Sequence, residues 1–177
     1  GGLQPKARTV LRLHDRRRNI GTGLPQESIP VLSPAVAYIT TRMLQDVLTT
    51  GTAKSLQKFA GERPAAGKTG TTDDYRDAWF VGFSSRLVAG VRVGFDQPKP
   101  IGEEAFAAKV ALPIWTAFMR RAAAVLPPGD FTVPPEMRAV ELCSVSFETP
   151  SDRCPTYTEH FKTGDVVPKR PCPIHGG

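Results

Sequence analysis

Apolar residues along this chain fall first into a helical period, then into alternation, then into a helical period again. From Ser33-Pro34 onward, Val36, Ile39, Met43, Leu44, Val47 and Leu48 recur at helical spacing, which predicts a core-facing amphipathic helix. Ser33 suits the cap and Pro34 the first helical position. Gly51 suits the left-handed residue that ends such a helix. Three strand-like segments come next, over about 65–72, 78–83 and 87–95. In the second, Trp79, Val81 and Phe83 alternate with Phe80 and Gly82. In the third, Val88, Val91 and Val93 mix with Gly90 and Gly94, whose small size lets something pack close. The short turn Ser84-Ser85-Arg86 predicts that the last two strands pair antiparallel. After a Pro/Gly loop at 97–102, a second helix over about 107–124 is expected to bury Val110, Ile114, Trp115, Phe118 and Met119. A meander with a helix across it is an α+β layered arrangement. Upstream, residues 7–21 predict a small β-hairpin whose polar turn, Asp15 to Asn19, puts Arg16, Arg17 and Arg18 at its tip.

The character changes beyond residue 126. Nine of the 17 prolines fall between 127 and 173, so regular structure is expected to be scarce there. We place a boundary near residue 128, with 1–128 as the main unit and 129–177 as a Pro/Cys-rich extension, an irregular tail.

Charge narrows the function classes. The chain of 177 residues carries a net charge of +6. Lys6, Arg8, Arg12, Arg16, Arg17 and Arg18 against Asp15 account for most of it within one hairpin. A dispersed nucleic-acid-binding surface would look different, and no nucleic-acid partner is expected. The arginine cluster reads as a solvated turn, with a phosphate or anionic-polymer contact as the alternative. No apolar run approaches the roughly 20 residues of a membrane span. The chain opens Gly1-Gly2-Leu3, which reads as a portion cut from something longer.

The stretch Gly67-Lys68-Thr69-Gly70-Thr71-Thr72 carries the chemistry, and two readings compete. A phosphate-binding loop wants a Gly five positions before the Gly-Lys pair, where this chain has Glu62, and must run into a helix. This chain runs instead into the acidic turn Asp73-Asp74-Tyr75-Arg76-Asp77 and then into a strand. The other reading is the Lys-Thr-Gly element of serine acyl-transfer enzymes that recognise penicillin, in which the motif lies on an edge strand facing the active-site cleft. There the Lys supplies positive charge near the nucleophile and the substrate carboxylate. The Gly leaves room for a substrate backbone beside the strand. The next Thr offers a hydroxyl and an N–H for carboxylate and oxyanion contacts.

The whole run from Gly67 to Asp96 resembles the C-terminal part of the transpeptidase domain of class A, bifunctional penicillin-binding proteins. Leu32-Ser33-Pro34 with its helix, then Gly51-Thr52-Ala53, resembles the segment preceding the motif in that family, and the helix from Pro113 to Met119 resembles its closing helix. The resemblance covers residues 1 to about 128, and the tail resembles the C-terminal extension of some members. It implies a partial transpeptidase/β-lactamase-like fold of antiparallel sheet packed against helices. It also implies a D-alanyl-D-alanine transpeptidase that cross-links peptidoglycan stem peptides and is acylated by β-lactams. By this resemblance Lys68 takes the catalytic electrostatic role, and Thr69, Gly70 and Thr71 bind substrate. No cofactor is implied. The expected location is the periplasmic or extracytoplasmic face of the bacterial cytoplasmic membrane, with membrane contact through an N-terminal anchor outside this chain. A non-catalytic cell-envelope binding module is the alternative.

The family pattern is incomplete here. No Ser-x-Asn occurs among the 177 residues. One Ser-x-x-Lys does, Ser55-Leu56-Gln57-Lys58, but it lies ten residues before Lys68 in what reads as a linker. The family's nucleophile opens a helix much earlier in the chain. Without its serine, Lys68 has nothing to activate, so the chain is expected to be the inactive C-terminal portion of a transpeptidase. The meander would then expose an edge and an apolar face, with marginal stability in isolation.

The three cysteines all lie in the tail. Cys143, Cys154, Cys172 and His175 could form a Cys3His zinc site with Cys172-x-x-His175 as its tight pair, although the first spacings are wide. The alternatives are one disulfide with a leftover thiol, or free thiols. The extracytoplasmic location that the resemblance implies favours the disulfide over a metal.

Overall fold

The computed structural model describes residues 1–15, 17, 18 and 20–175. Arg16 and Asn19, which the sequence puts at the tip of the N-terminal hairpin, lie outside them. In chain order the elements are β1 (Leu3–Pro5), β2 (Arg12–Asp15), β3 (Ile20–Gly23), β4 (Ser28–Pro30), α1 (Pro34–Thr49), α2 (Gln57–Glu62), β5 (Ala66–Thr71), β6 (Asp77–Phe83), β7 (Val88–Gly94), α3 (Ala107–Ala123), β8 (Met137–Cys143) and β9 (Thr156–Lys162). Single 3-10 turns occupy Lys54–Leu56 and Asp73–Tyr75. The chain divides into two units, one made of Gly1–Ala37 with Pro134–Gly177, the other of Tyr38–Val133.

The second unit holds an antiparallel sheet in the order β5-β6-β7. Register places Gly67, Thr69 and Thr71 opposite Gly82, Phe80 and Ala78, and Lys68 and Gly70 opposite Val81 and Trp79. Side chains alternate between faces along a strand. The face carrying Ala78, Phe80 and Gly82 is therefore the buried one, whereas Trp79 and Val81 are half exposed. Helix α3 covers the buried face through Trp115, which is fully buried. Its ring meets Phe80 edge-on at 4.9 Å and Phe59 at 6.0 Å. Its Nε1–H donates to the Ala89 carbonyl at 3.1 Å, so the indole's one polar group is satisfied inside the core. Gly82 makes this approach possible: a Cβ there would sit 2.7 Å from Cζ2 of Trp115.

Two apolar faces differ from the periodicity reading. On α3 the buried residues are Ala107, Ala111, Leu112, Trp115, Thr116 and Met119, while Ile114 and Phe118 are about half exposed. Ile114 and Phe118 are four apart and form their own stripe, one that the sheet does not reach. On α1, Tyr38 and Leu48 are buried, and Val36 and Met43 are exposed. The segment read as a linker, 54–62, is helical, because Leu56 and Phe59 sit three apart and both enter the core.

In the first unit β1 pairs with β4 and β2 with β3, all antiparallel and all exposed. At the β2–β3 turn, Asp15 accepts the Arg17 N–H at 2.8 Å and pairs with the Arg18 side chain at 3.8 Å. The tail is more regular than its composition suggests. β8 and β9 pair over seven residues each, from Met137 opposite Lys162 to Cys143 opposite Thr156. All nine prolines that mark the tail lie outside these two strands, so proline count described the connections and missed the hairpin. No helix among the described residues is long and apolar enough to cross a membrane.

Candidate functional site

The Lys-Thr-Gly residues form the middle of β5, whose one sheet neighbour is β6. The far edge of β5 therefore has no strand on it among the described residues. Lys68 is exposed, and Thr69 and Gly70 are half buried. The Lys68 ammonium donates to the Thr69 carbonyl at 2.9 Å and reaches Thr69 Oγ1 at 3.4 Å. On its other side Thr69 Oγ1 lies 3.0 Å from Thr52 Oγ1. The loop leaving α1 is thus tied by one hydroxyl pair to the motif. Nothing in the local pattern Gly51-Thr52-Ala53 signals this contact for Thr52.

Thr71 faces the helix layer. Its Oγ1 accepts the Ala107 N–H at 3.2 Å. Phe106, in the cap position of α3, has no side-chain oxygen to offer. Thr71 supplies one from 36 residues away and satisfies a donor that the first turn leaves open. Ser55 is exposed on the 3-10 turn Lys54–Leu56, with Lys58 exposed in α2.

A second constellation lies in the tail. Sγ of Cys143, Cys154 and Cys172 and Nδ1 of His175 all lie within 4.8 Å of one another. Cys143 and Cys172 are buried, and none of the three cysteines is in a disulfide. The Cys143–Cys172 sulfurs are 3.6 Å apart, far beyond the roughly 2.05 Å of a sulfur–sulfur bond. The favoured one-disulfide expectation is therefore not what the structure contains. Hairpin pairing carries Cys143 and Cys154 together, and the return of the chain at Pro171 beside Thr149 adds Cys172 and His175. Burial pushes the Cys172 thiol up, but the Ser146 hydroxyl and the N–H groups of His175 and Ile174 outweigh it and bring it down to about 5. The contacts with Cys172 and Cys143 raise His175.

No protein-family model matches the chain. Penicillin-binding protein 1A of Aquifex aeolicus is 41% identical over 121 residues, 66% of this chain. The chain is homologous to a segment of penicillin-binding protein 1A. The protein of that name from Pseudomonas aeruginosa is 38% identical over 146 residues, 81% of the chain, and that from Neisseria gonorrhoeae 35% over 125 residues, 68% of the chain. The aligned segments span 16–18% of these relatives' own lengths. The crystal structure of penicillin-binding protein 1A from Haemophilus influenzae superposes with a TM-score of 0.68 at 26% identity, over 81% of this chain and 22% of that one. The chain thus has a partial transpeptidase-like α+β fold, as the resemblance implied.

Proposed function

We propose that this chain is the C-terminal portion of a peptidoglycan D,D-transpeptidase, a penicillin-binding enzyme that cross-links stem peptides by serine acyl transfer. One observation carries the reading: a Lys-Thr-Gly triplet on a strand whose far edge carries no strand among the described residues, in a chain homologous to penicillin-binding protein 1A. In this reaction a serine hydroxyl attacks the penultimate D-Ala carbonyl and the terminal D-Ala leaves with the proton. An amine of a neighbouring stem peptide then displaces the serine. Penicillins acylate the same serine. Residues 1–128 make up the transpeptidase portion and 129–177 an extension of it. The site faces the periplasm or the outer side of the cytoplasmic membrane.

The residues of β5 have separable roles. The free edge of the strand presents N–H and C=O groups to an extended peptide, and Gly70 keeps side-chain bulk away from it. The Lys68 ammonium, exposed beside Thr69, stabilises the negative charge that develops on the substrate. Thr71 Oγ1 is held as an acceptor by Ala107, which leaves its O–H free to donate to a carboxylate. Ser55, exposed on a tight turn, is not the nucleophile.

Fluorescent penicillin tests this reading. The 177-residue chain alone is expected to stay unlabelled. The polypeptide expressed with the coding sequence upstream of Gly1 is expected to label on an upstream serine, and to lose labelling with Lys68→Ala. An adduct mapped to Ser55 by mass spectrometry would overturn the assignment, as would full labelling of the Lys68→Ala polypeptide.

A further inference from the structure

The cysteine cluster has the dimensions of a metal site. In a tetrahedral zinc centre with Zn–S near 2.3 Å and Zn–N near 2.1 Å, neighbouring donors lie about 3.6–3.8 Å apart. Here Nδ1 of His175 lies 3.5 Å from the Cys143 sulfur, 3.6 Å from Cys154 and 3.3 Å from Cys172, and the Cys143–Cys172 sulfurs are 3.6 Å apart. Four donors from three separate stretches of chain thus converge, four of their six pairs at the spacing of vertices around one ion and all of them within 4.8 Å of one another. Thiols that merely share an apolar pocket have no reason to gather around an imidazole nitrogen in this way.

The surroundings also suit thiolates. The N–H of Ser151 points at Cys154 Sγ at 3.2 Å, and the N–H of His175 at Cys172 Sγ at 3.4 Å. The Ser146 hydroxyl donates to Cys172 Sγ at 3.2 Å. Such donors orient ligand sulfurs and spread their charge. The Ser151 hydroxyl also donates to the His175 carbonyl at 3.0 Å, fixing the Cys172-x-x-His175 turn.

The tail has a physical requirement for a cross-link. Among its described residues the buried apolar side chains are few: Pro134, Met137, Leu142 and the two cysteines Cys143 and Cys172. A two-stranded hairpin with so small a core is marginal unless something clamps it. The cluster joins the end of β8, the turn before β9 and the C-terminal turn, the three places such a clamp must hold.

We propose that Cys143, Cys154, Cys172 and His175 bind one structural Zn2+ ion. Mixed thiolate and imidazole donors in tetrahedral array select zinc over the hard cations. The three thiols bind as thiolates and release their protons to solvent; the imidazole binds through Nδ1 in its neutral form. All four positions are filled by protein, so the site is structural and leaves no place for a catalytic water.

The test uses the 177-residue chain, purified with reductant, given excess Zn2+ and dialysed against metal-free buffer. One zinc per chain by atomic emission is expected. Co2+ in its place is expected to give the visible bands of a tetrahedral ion and the near-ultraviolet bands of cobalt–thiolate bonds. Cys143→Ser, Cys154→Ser and Cys172→Ser should each weaken zinc binding by at least tenfold. His175→Cys keeps four donors, so it should retain one zinc with a shifted cobalt spectrum, which separates loss of a ligand from loss of the fold. Less than half an equivalent of zinc retained by the reduced chain would overturn the proposal. So would a disulfide between any two of these cysteines in the chain as isolated from the periplasm, or a cobalt spectrum lacking thiolate bands.

Discussion

The Thr71 hydroxyl accepts the N–H of Ala107 at 3.2 Å, so the last residue of the motif strand caps the helix that closes the core. The side chain that the family reading assigns to substrate therefore also holds secondary structure together. Thr71→Val removes the acceptor and leaves the first turn of α3 uncapped, and should lower stability by about 1 kcal/mol. Thr71→Ser should restore most of that. Urea unfolding midpoints of the three proteins check both outcomes.

The Thr52–Thr69 hydroxyl pair predicts a smaller effect at a more sensitive place. It is partly open to solvent, so Thr52→Val should cost roughly 0.5–1 kcal/mol. Freed from Thr52, Thr69 Oγ1 keeps the Lys68 ammonium as its neighbour. In the longer polypeptide that the proposed function calls for, penicillin acylation should slow while the fold persists, and Thr52→Ser should behave as the parent. Stopped-time labelling with fluorescent penicillin, paired with thermal unfolding, measures the two effects separately.

Lys68 should show the opposite balance. Its side chain is exposed and contributes little packing. Lys68→Ala should leave the unfolding midpoint nearly unchanged yet reduce acylation of the same longer polypeptide by about 10²-fold or more, the scale of losing one electrostatic contact to a developing oxyanion. Comparable losses in stability and acylation would mean that Lys68 acts through structure instead.

Gly82 marks where the core tolerates least. A methyl group there would meet both the Phe80 ring and the Trp115 indole at 2.7 Å. Trp115 is fully buried and anchored to Ala89, so it has no easy retreat. Gly82→Ala should destabilise the chain by about 1–3 kcal/mol. Gly102→Ala, in a loop with open space around the added carbon, should change stability by less than about 0.5 kcal/mol. Paired denaturation curves decide between them.

Zinc removal should act locally. A chelator in excess is expected to raise amide exchange in 137–143 and 156–162 by about tenfold or more, since binding energy at such a site is folding energy for the segment that holds it. Amides of β6 and β7 should exchange as before. Hydrogen-exchange mass spectrometry resolves the two regions.

Sequence periodicity located the sheet well. The strands at 66–71, 77–83 and 88–94 and the helices at 34–49 and 107–123 lie within a few residues of where alternation and helical spacing put them. Their buried faces were less legible. Ile114 and Phe118 carry as strong an apolar signal as Trp115, but a helix can turn only one face to a sheet, and Gly82 reserves that face for the indole. The β8–β9 hairpin is not legible in the sequence because prolines in its connections outweigh the weak alternation within its strands.

Local sequence by itself determined the three-stranded sheet and the helices α1 and α3, and it set Lys68-Thr69-Gly70 on a strand. Backbone preference and alternation act within a few residues, and Lys68-Thr69-Gly70 is contiguous. Tertiary structure decided what long separations conceal. The Thr71 cap on α3 spans 36 residues and the Thr52 contact with Thr69 spans 17. Cys143 and His175, 32 residues apart, meet at 3.5 Å. The wide spacing of the cysteines made a shared site look improbable along the chain. Folding the hairpin and returning the C-terminus to it removes that separation, because donors that are remote in sequence become neighbours once backbone pairing fixes the register.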